Sequence, residues 1–282
     1  MDTRKTDIHA SAFLHAPFGY PDGRTPSGPE TLSELFRKTN TVKAIVVPEM
    51  RTEGAHMTQS NEDAESMTNE LQRAGESVSL FRTSSLDPRM IYNSVKSDFS
   101  AYIRYYGEKG CVAVGYVYAN VPVTDPLTEN LVSHAASCGK TVCLETGLGK
   151  RGLIDDEKLS GLSRLTGKFE KTPFVVCLER SASKKLFPVL VSLCEKRENV
   201  YIDLSCVSVA RGEAEKEEIY GLIKSAASLS GRLLYGSYVT VKEDLPYLVL
   251  PALLDKAVSD GVFGEKEYAE ICRENAAKVF GI

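Results

Sequence analysis

The 282-residue sequence predicts an α/β protein, a single (β/α)₈ TIM barrel spanning residues 1–282. Eight short strand-like segments alternate with helical segments nearly to the C-terminus. Several of these strands are continuous apolar runs, such as residues 44–47 and 174–178, which are typical of parallel strands buried on both faces. Because parallel strands require crossover connections, eight strand–helix units favour a closed barrel. An open doubly wound sheet is the alternative.

The predicted elements follow one another without a linker or a second domain. The strands are predicted at residues 6–11, 42–48, 77–83, 111–118, 141–145, 174–179, 200–204 and 232–235. Asp125 followed by Pro126 predicts a helix start, and Gly139 predicts the end of that helix. Residues 184–198 form a second amphipathic pattern. Residues 17–30 are rich in Pro and Gly and predict a long loop over the barrel mouth.

Composition narrows the class of protein. The chain has 34 basic and 38 acidic residues, a net charge of −4, which argues against a nucleic-acid-binding protein. It contains no apolar run of 18 residues and begins without the apolar core of a signal peptide, so we expect no membrane association. Seven cysteines without close pairing favour a reducing compartment. We therefore expect a cytoplasmic protein. A small-molecule ligand and a homodimer are expected from the kind of barrel that the chain resembles, not from its composition.

The candidate site residues lie where the predicted strands end, because TIM barrels carry their reacting groups at the C-terminal ends of strands. Asp7, His9 and Ser11 belong to the first strand. Glu145 ends the fifth strand and is followed by Thr and Gly, and Glu179 ends the sixth. A cluster of carboxylates around an imidazole predicts either acid–base chemistry or a cation site.

These motifs resemble the amidohydrolase superfamily, most closely the amidohydrolase-related branch ("family 2") that contains decarboxylases and lactone hydrolases. The resemblance runs from residue 6 to residue 281 and includes Asp203 in the seventh strand and the terminal Asn275-Ala276 helix. It implies a TIM barrel in which histidines of strands one, five and six hold a divalent metal, usually zinc. It also implies a strand-eight aspartate that takes a proton from the metal-bound water.

The sequence departs from that pattern at four positions. Only His9 is kept, while Ser11, Glu145, Glu179 and Tyr238 stand where the family has its other polar groups. Because a phenol titrates near pH 10, Tyr238 is a poor replacement for the aspartate base. The resemblance therefore implies a familiar barrel whose usual zinc centre has been lost.

Three functions remain open for such a barrel. In the first, His9, Glu145, Glu179 and Tyr238 are catalytic, and a hydrolase or decarboxylase-type lyase of altered mechanism acts on a small anionic substrate. In the second, the barrel binds a ligand without turnover. In the third, Asp7, His9, Glu145 and Glu179 hold a divalent metal, Mg²⁺, Mn²⁺ or Zn²⁺, as non-standard ligands of a hydrolase. The expected substrate-binding residues at the C-terminal mouth are Ser11, Asp203, Tyr116, Tyr118, Lys150 and Arg151.

A G-x-G-x-x-G motif at residues 147–152 does not favour NAD binding. A dinucleotide fingerprint opens a helix in the first strand–helix–strand unit and is followed about 20 residues later by an acidic residue at a strand end. This motif lies in the middle of the chain and lacks that residue. Loop histidines His15 and His56 are expected to be exposed.

Overall fold

The computed structural model describes residues 1–15, 23–50 and 59–282. Its sheet contains eight parallel barrel strands. Each barrel strand is hydrogen-bonded to the barrel strand that follows it in the sequence. The Ile8 N–H donates to the Tyr235 carbonyl at 3.0 Å, so the last strand meets the first and the barrel is nearly closed. The predicted (β/α)₈ fold is confirmed. His56 and the first part of the predicted 17–30 loop lie outside the described residues.

The strands start and end close to the predicted positions. They are β1 Lys5–Ala10, β2 Thr41–Val46, β3 Ser79–Ser84, β4 Cys111–Val117, β5 Thr141–Gly147, β6 Phe174–Leu178, β7 Val200–Asp203 and β8 Leu233–Leu234. An additional two-residue strand, Leu153–Ile154, pairs with β5 and is too short to give a sequence pattern. Every residue of β5, β6 and β7 is buried, as expected for strands covered on both faces.

Helices follow the strands and form the outer layer. They are α1 Pro29–Thr39, α2 Asn61–Arg73, the irregular turn α3 Met90–Asn93, α4 Ser100–Glu108, α5 Pro126–Ser137, α6 Ser160–Lys168, α7 Ser183–Lys196, α8 Glu213–Ser225, α9 Leu250–Ser259, α10 Glu265–Ala269 and α11 Asn275–Phe280. Short 3₁₀ segments are Leu204–Val207, Ala227–Arg232 and Lys242–Tyr247, and the π-helical turn Glu270–Glu274 joins α10 to α11.

Local sequence signals explain where the best-defined helices begin and end. The Asp125 side chain accepts a hydrogen bond from the Leu127 N–H at 2.8 Å, and Pro126 occupies the first helical position of α5. Gly139 follows α5 with a left-handed φ of 65°. Ser60 and Asp63 cap α2 reciprocally. No helix among the described residues has the length and apolarity needed to cross a membrane.

Candidate active site

The ends of β1 and β7 bring His9 and Asp203 together. His9 Nδ1 lies 2.7 Å from Asp203 Oδ2, and both side chains are completely buried. Asp203 also accepts hydrogen bonds from the Tyr116 hydroxyl at 2.7 Å and from the Ser205 N–H at 2.8 Å. Burial raises the pKa of Asp203, but the His9 ring and these donors outweigh it and hold the pKa below its usual value. Asp203 is therefore an ionised acceptor, and His9 carries its hydrogen on Nδ1.

The other ring nitrogen of His9 faces a tyrosine hydroxyl. His9 Nε2 lies 3.2 Å from the Tyr118 hydroxyl. The imidazole is stacked between the rings of Tyr116 and Tyr238, each with its centroid 4.0 Å away. Tyr116 lies in β4 and Tyr118 directly follows its last residue, and both side chains reach the same imidazole. The aromatic contacts fix the plane of the His9 ring, and the hydrogen bonds fix its rotation.

Tyr238 is placed by the segment that follows β8. Its backbone is left-handed, with φ 49°, and its N–H donates to the His9 carbonyl at 2.9 Å. A non-glycine residue in this conformation carries backbone strain of about 1–3 kcal/mol, which packing around it must offset. Two residues earlier, a Cβ on Gly236 would lie 2.6 Å from Asp203 Oδ1 and 3.1 Å from His9 Cβ. This close approach requires glycine.

A second polar group, which we call the mouth cluster, consists of Ser11, Glu49, Glu145 and Arg151. Arg151 Nε lies 2.6 Å from Glu145 Oε1, and Arg151 Nη2 lies 3.5 Å from Glu49 Oε2. The Ser11 hydroxyl donates to Glu49 Oε1 at 3.0 Å. The Tyr238 hydroxyl lies 3.4 Å from Glu145 Oε2, which connects the mouth cluster to the His9 stack. The two carboxylates are buried, whereas the Arg151 side chain is 25% exposed and forms the boundary with solvent.

Glu179 has a different environment from Glu145. Its Oε2 accepts hydrogen bonds from the N–H groups of Leu148 at 3.0 Å and Lys150 at 3.3 Å, and its other oxygen accepts one from the Ser181 hydroxyl. The carboxylate thus ties down the glycine-containing loop after β5, and the Lys150 side chain is exposed. The sequence predicts that Glu179 lies with Glu145 near His9. In the structure the hydrogen-bond partners of Glu179 are instead the loop amides and the Ser181 hydroxyl.

Asp7 joins β1 to the segment after β8. Its Oδ1 accepts hydrogen bonds from the N–H groups of His9 and Ser237, both at 3.0 Å. Its Oδ2 is buried and has no hydrogen-bond partner among the described residues. Burial raises the pKa of Asp7 above its usual value. Asp7 lies two positions before His9 in β1, and its carboxyl group joins the backbone at His9 to the backbone at Ser237.

The expected metal ligands do not converge. Among the described residues, only His9, Cys177 and Asp203 bring three potential ligand atoms within 4.8 Å of one another, and this set omits Asp7, Glu145 and Glu179. His9 Nδ1 and Asp203 are already hydrogen-bonded to each other, and burial raises the pKa of the Cys177 thiol well above its usual range. The Arg151 guanidinium stands against Glu145, where a metal ion would meet like charge. Neither the predicted ligand set of Asp7, His9, Glu145 and Glu179 nor the His9–Cys177–Asp203 group fits a divalent metal centre.

Three residues of the site lie outside the sequence-based candidate set. Glu49 directly follows the 44–47 run and Pro48, so its position just past a strand end is a usable signal. Ser205, whose hydroxyl lies 3.1 Å from His9 Nδ1, directly follows the predicted strand 200–204 and carries the same signal. Cys177, whose thiol is 3.5 Å from the Ser205 hydroxyl, lies inside a strand and has no such signal. Small polar residues of this kind are as common in cores as in sites.

Comparison with solved structures places the chain among TIM barrels. An uncharacterized TIM-barrel protein, Bb4693 from Bordetella bronchiseptica, matches with a TM-score of 0.65 and 14% identity over 99% of this chain and 98% of that one. The dihydropyrimidinase of Brevibacillus agri NCHU1002 has a TM-score of 0.60 and 13% identity over 98% of this chain and 70% of its own. The D-hydantoinase of Bacillus sp. AR9 has the same TM-score and identity, over 97% and 70%.

These similarities show the fold alone. No protein-family model matches the sequence, and no curated protein matches it significantly. The fold and the site together define a TIM-barrel protein with a buried histidine–aspartate pair at the C-terminal ends of its strands.

Proposed function

We propose that this protein is an enzyme that uses His9 for acid–base chemistry, a hydrolase or decarboxylase-type lyase that acts on a small anionic substrate at the C-terminal mouth. The observation that supports it most directly is the chain of contacts Asp203–His9–Tyr118, with distances of 2.7 and 3.2 Å. The amidohydrolase-like strand-end motifs and the hydrolase-named structural neighbours favour the same reaction classes. The chemistry itself rests on the site residues.

The contacts define a role for each member of the chain. Asp203 accepts the hydrogen of His9 Nδ1 and stabilises the imidazolium that forms when Nε2 takes up a proton. Nε2 is the atom that accepts and returns the proton, and the buried Tyr118 hydroxyl is its hydrogen-bond partner. Tyr116 and Tyr238 keep the ring in place during both transfers. General acid–base catalysis of this type contributes about 10²- to 10⁴-fold to a rate.

Arg151 supplies guanidinium N–H donors for the substrate. Its guanidinium lies over the ring of Tyr238, 4.7 Å from the centroid, and 5.5 Å from that of Tyr118, so it is adjacent to two of the three tyrosines that contact His9. It is also partly exposed, which lets an incoming anion reach it. A guanidinium binds carboxylates through paired N–H donors, and this matches a small substrate with a carboxylate group.

A second candidate function, a ligand-binding barrel without turnover, is favoured by a different observation. The His9 side chain is completely buried, and both ring nitrogens already have hydrogen-bond partners. A catalytic role requires the Tyr118 hydroxyl to pass on the proton or to move aside. A binding protein requires neither.

A matched pair of histidine variants distinguishes the two functions. We would screen hydantoins, dihydropyrimidines, lactones and small carboxylic acids for turnover by the wild type, His9→Asn and His134→Asn. Asn at position 9 retains a donor for Asp203 but cannot carry a proton, so kcat is expected to fall by about 10²-fold or more. His134 lies on α5 and contacts Ser100, so its variant should keep full activity. Equal turnover by wild type and His9→Asn contradicts the enzyme proposal, and thermal stabilisation by a ligand without turnover supports the binding barrel.

A further inference from the structure

A cleft of about 470 Å³ lies beside the active site at the C-terminal end of the barrel. Its walls come from segments that follow β1, β6, β7 and β8. The lining residues are Arg24, Arg180, Val209, Arg211, Glu215 and Asp244. They carry three positive and two negative charges, and the volume falls within the range of about 300–1,000 Å³ seen in small-molecule sites.

One buried carboxylate holds two of the guanidinium groups side by side. Asp244 is only 4% exposed, its Oδ2 lies 3.1 Å from Arg180 Nη1 and its Oδ1 lies 2.6 Å from Arg211 Nη2. A single carboxylate neutralises one of these two charges. The pair therefore keeps a net positive charge in a fixed position.

The other carboxylate of the cleft, Glu215, has partners of its own. Glu215 Oε2 accepts a hydrogen bond from the Arg211 backbone N–H at 2.7 Å, and Glu215 Oε1 lies 3.4 Å from Lys184 Nζ. These contacts hold the pKa of Glu215 below its usual value, the backbone hydrogen bond being the larger cause. Glu215 also interacts electrostatically with Arg211, so the three arginines and two carboxylates of the cleft together keep one net positive charge.

Both guanidinium groups keep donors for a ligand. The Arg180 and Arg211 side chains are 36% and 54% exposed, although each is anchored on Asp244. An arginine has five N–H donors, and the contacts of Arg180 are Asp244 and the Tyr238 carbonyl, the latter at 3.0 Å from Nη2. Its Nε is buried without a partner among the described residues, so the donors left for a ligand are the remaining N–H groups on Nη1 and Nη2. Preorganised arginines with spare donors are typical of oxyanion recognition.

We propose that this cleft binds a phosphoryl group, either as inorganic phosphate or as a phosphomonoester. A phosphoryl group offers three or more acceptor oxygens and a charge of about −1.5 to −2 at neutral pH. It can therefore accept from both members of the arginine pair, as the Asp244 carboxylate does, and it brings more acceptor oxygens and more negative charge than a carboxylate. The inference concerns binding alone, so it does not require the chemistry proposed for His9.

The position of the cleft also connects it to the active site. The Arg180 guanidinium lies 5.8 Å from the centroid of the Tyr238 ring, and that ring is stacked on His9 at 4.0 Å. A phosphoryl group on Arg180 would thus lie one side chain away from the residue that covers the imidazole.

Isothermal titration calorimetry with inorganic phosphate and with glycerol phosphate tests the proposal. We expect one phosphate per chain, bound at least about tenfold more weakly by Arg180→Gln and Arg211→Gln, since each removes a charged donor. The matched control is Arg104→Gln on α4, an exposed arginine remote from the cleft, and its affinity should equal that of the wild type. Tighter binding of glycerol phosphate identifies an organic phosphate as the ligand, and equal or weaker binding identifies free phosphate.

Two further variants keep the test decisive. Arg180→Lys and Arg211→Lys retain the charge but lose the planar fork, so they should fold and bind phosphate with intermediate affinity. If circular dichroism shows that a Gln variant is unfolded, the Lys variant at the same position is used in its place. His9→Asn should bind phosphate as the wild type does, which separates this site from the proposed chemistry. No binding by the wild type, unchanged affinity in folded Arg180 and Arg211 variants, or an equal loss in Arg104→Gln would overturn the proposal.

Discussion

His9 and Asp203 are 194 positions apart in sequence, yet His9 Nδ1 and Asp203 Oδ2 are 2.7 Å apart inside the barrel. In the barrel, β8 lies between β7 and β1, and the His9–Asp203 contact joins β1 to β7 past the C-terminal end of β8. Gly236, just after β8, approaches both residues so closely that a Cβ there would meet Asp203 Oδ1 at 2.6 Å. The pair therefore depends on a glycine as well as on the imidazole and the carboxylate.

Two Gly→Ala variants check this dependence. Gly236→Ala places a methyl group against Asp203 and is expected to destabilise the fold by about 1–3 kcal/mol through overpacking. The control is Gly221→Ala in α8, where a Cβ would have no atom within 4 Å and the residue is exposed. That variant should gain about 0.5–1 kcal/mol from helix propensity. Urea unfolding measures both, and similar stability of the two variants would contradict the packing argument.

Asp203→Asn examines the charge of the buried pair. The isosteric amide loses the ionic partner of His9, and we expect a stability loss of about 3 kcal/mol at neutral pH together with loss of turnover. Because the folded pKa of Asp203 lies below its usual 3.8, its contribution is present above that pH and is lost as the pH falls through the folded pKa. Urea unfolding from pH 7 to pH 3 should show the difference from wild type shrinking in acid. A constant difference would argue against an ionised Asp203.

Asp7 has the opposite pH dependence. Its folded pKa is raised by burial, so the folded state binds more protons than the unfolded state above pH 3.8, and stability falls as the pH rises toward the folded pKa. Asp7→Asn keeps an oxygen for the His9 and Ser237 N–H groups and removes the ionisation. We expect the variant to lose this pH dependence and to be more stable than wild type at pH 8. Urea midpoints between pH 4 and pH 8 measure it, and parallel curves would show that Asp7 does not titrate in that range.

The Arg151–Glu145 contact is suited to a double-mutant cycle. Arg151→Met removes a cation from a buried carboxylate 2.6 Å away, whereas Glu145→Gln removes the charge that it faces. We expect the double variant to be more stable than the sum of the single effects predicts, with a coupling of about 1–3 kcal/mol. Additive effects would mean that the guanidinium does not interact with Glu145 in solution. In turnover assays, Arg151→Met should raise KM more than it lowers kcat.

Glu179→Gln should affect the loop after β5 rather than the chemistry. Its carboxylate accepts the N–H groups of Leu148 and Lys150, and hydrogen bonds to charged acceptors are worth about 1.5–3 kcal/mol. We therefore expect a lower melting temperature and faster proteolysis near residue 150, with kcat changed less than in Glu145→Gln. A loss of kcat equal to that of Glu145→Gln would mean that Glu179 takes part in the chemistry, as the sequence analysis proposes in its first function.

The strands were predictable because burial on both faces leaves a direct trace in sequence. The apolar runs at 44–47 and 174–178 fall within β2 and β6 or extend one residue past them, and Asp125-Pro126 gives the start of α5. The strand-end rule also selected His9 and Glu145, and the resemblance to the amidohydrolase superfamily added Asp203 and Tyr238. These four side chains meet in the site. In a barrel, this rule works because all C-terminal strand ends share one rim.

The pairing of these side chains was not predictable. Glu145 and Glu179 have the same sequence setting, a glutamate at the end of an apolar strand, but one faces Arg151 and the other faces backbone amides. The difference arises from the course of the loop after β5, where Gly149 and Gly152 adopt left-handed conformations. Loop paths depend on tertiary contacts that a single sequence does not record. The same is true of Tyr238, whose ring orientation depends on a strained backbone.

The three tyrosines around His9 make the site visible to spectroscopy without any label. The chain has 13 tyrosines and no tryptophan, so its near-ultraviolet circular dichroism comes chiefly from tyrosine rings held in rigid surroundings. Tyr116, Tyr118 and Tyr238 are buried and in contact with one another or with the imidazole, whereas Tyr92, Tyr102 and Tyr105 are exposed. A molecule that displaces the Tyr118 hydroxyl or tilts the Tyr238 ring would therefore change this signal while the far-ultraviolet signal of the barrel stays constant.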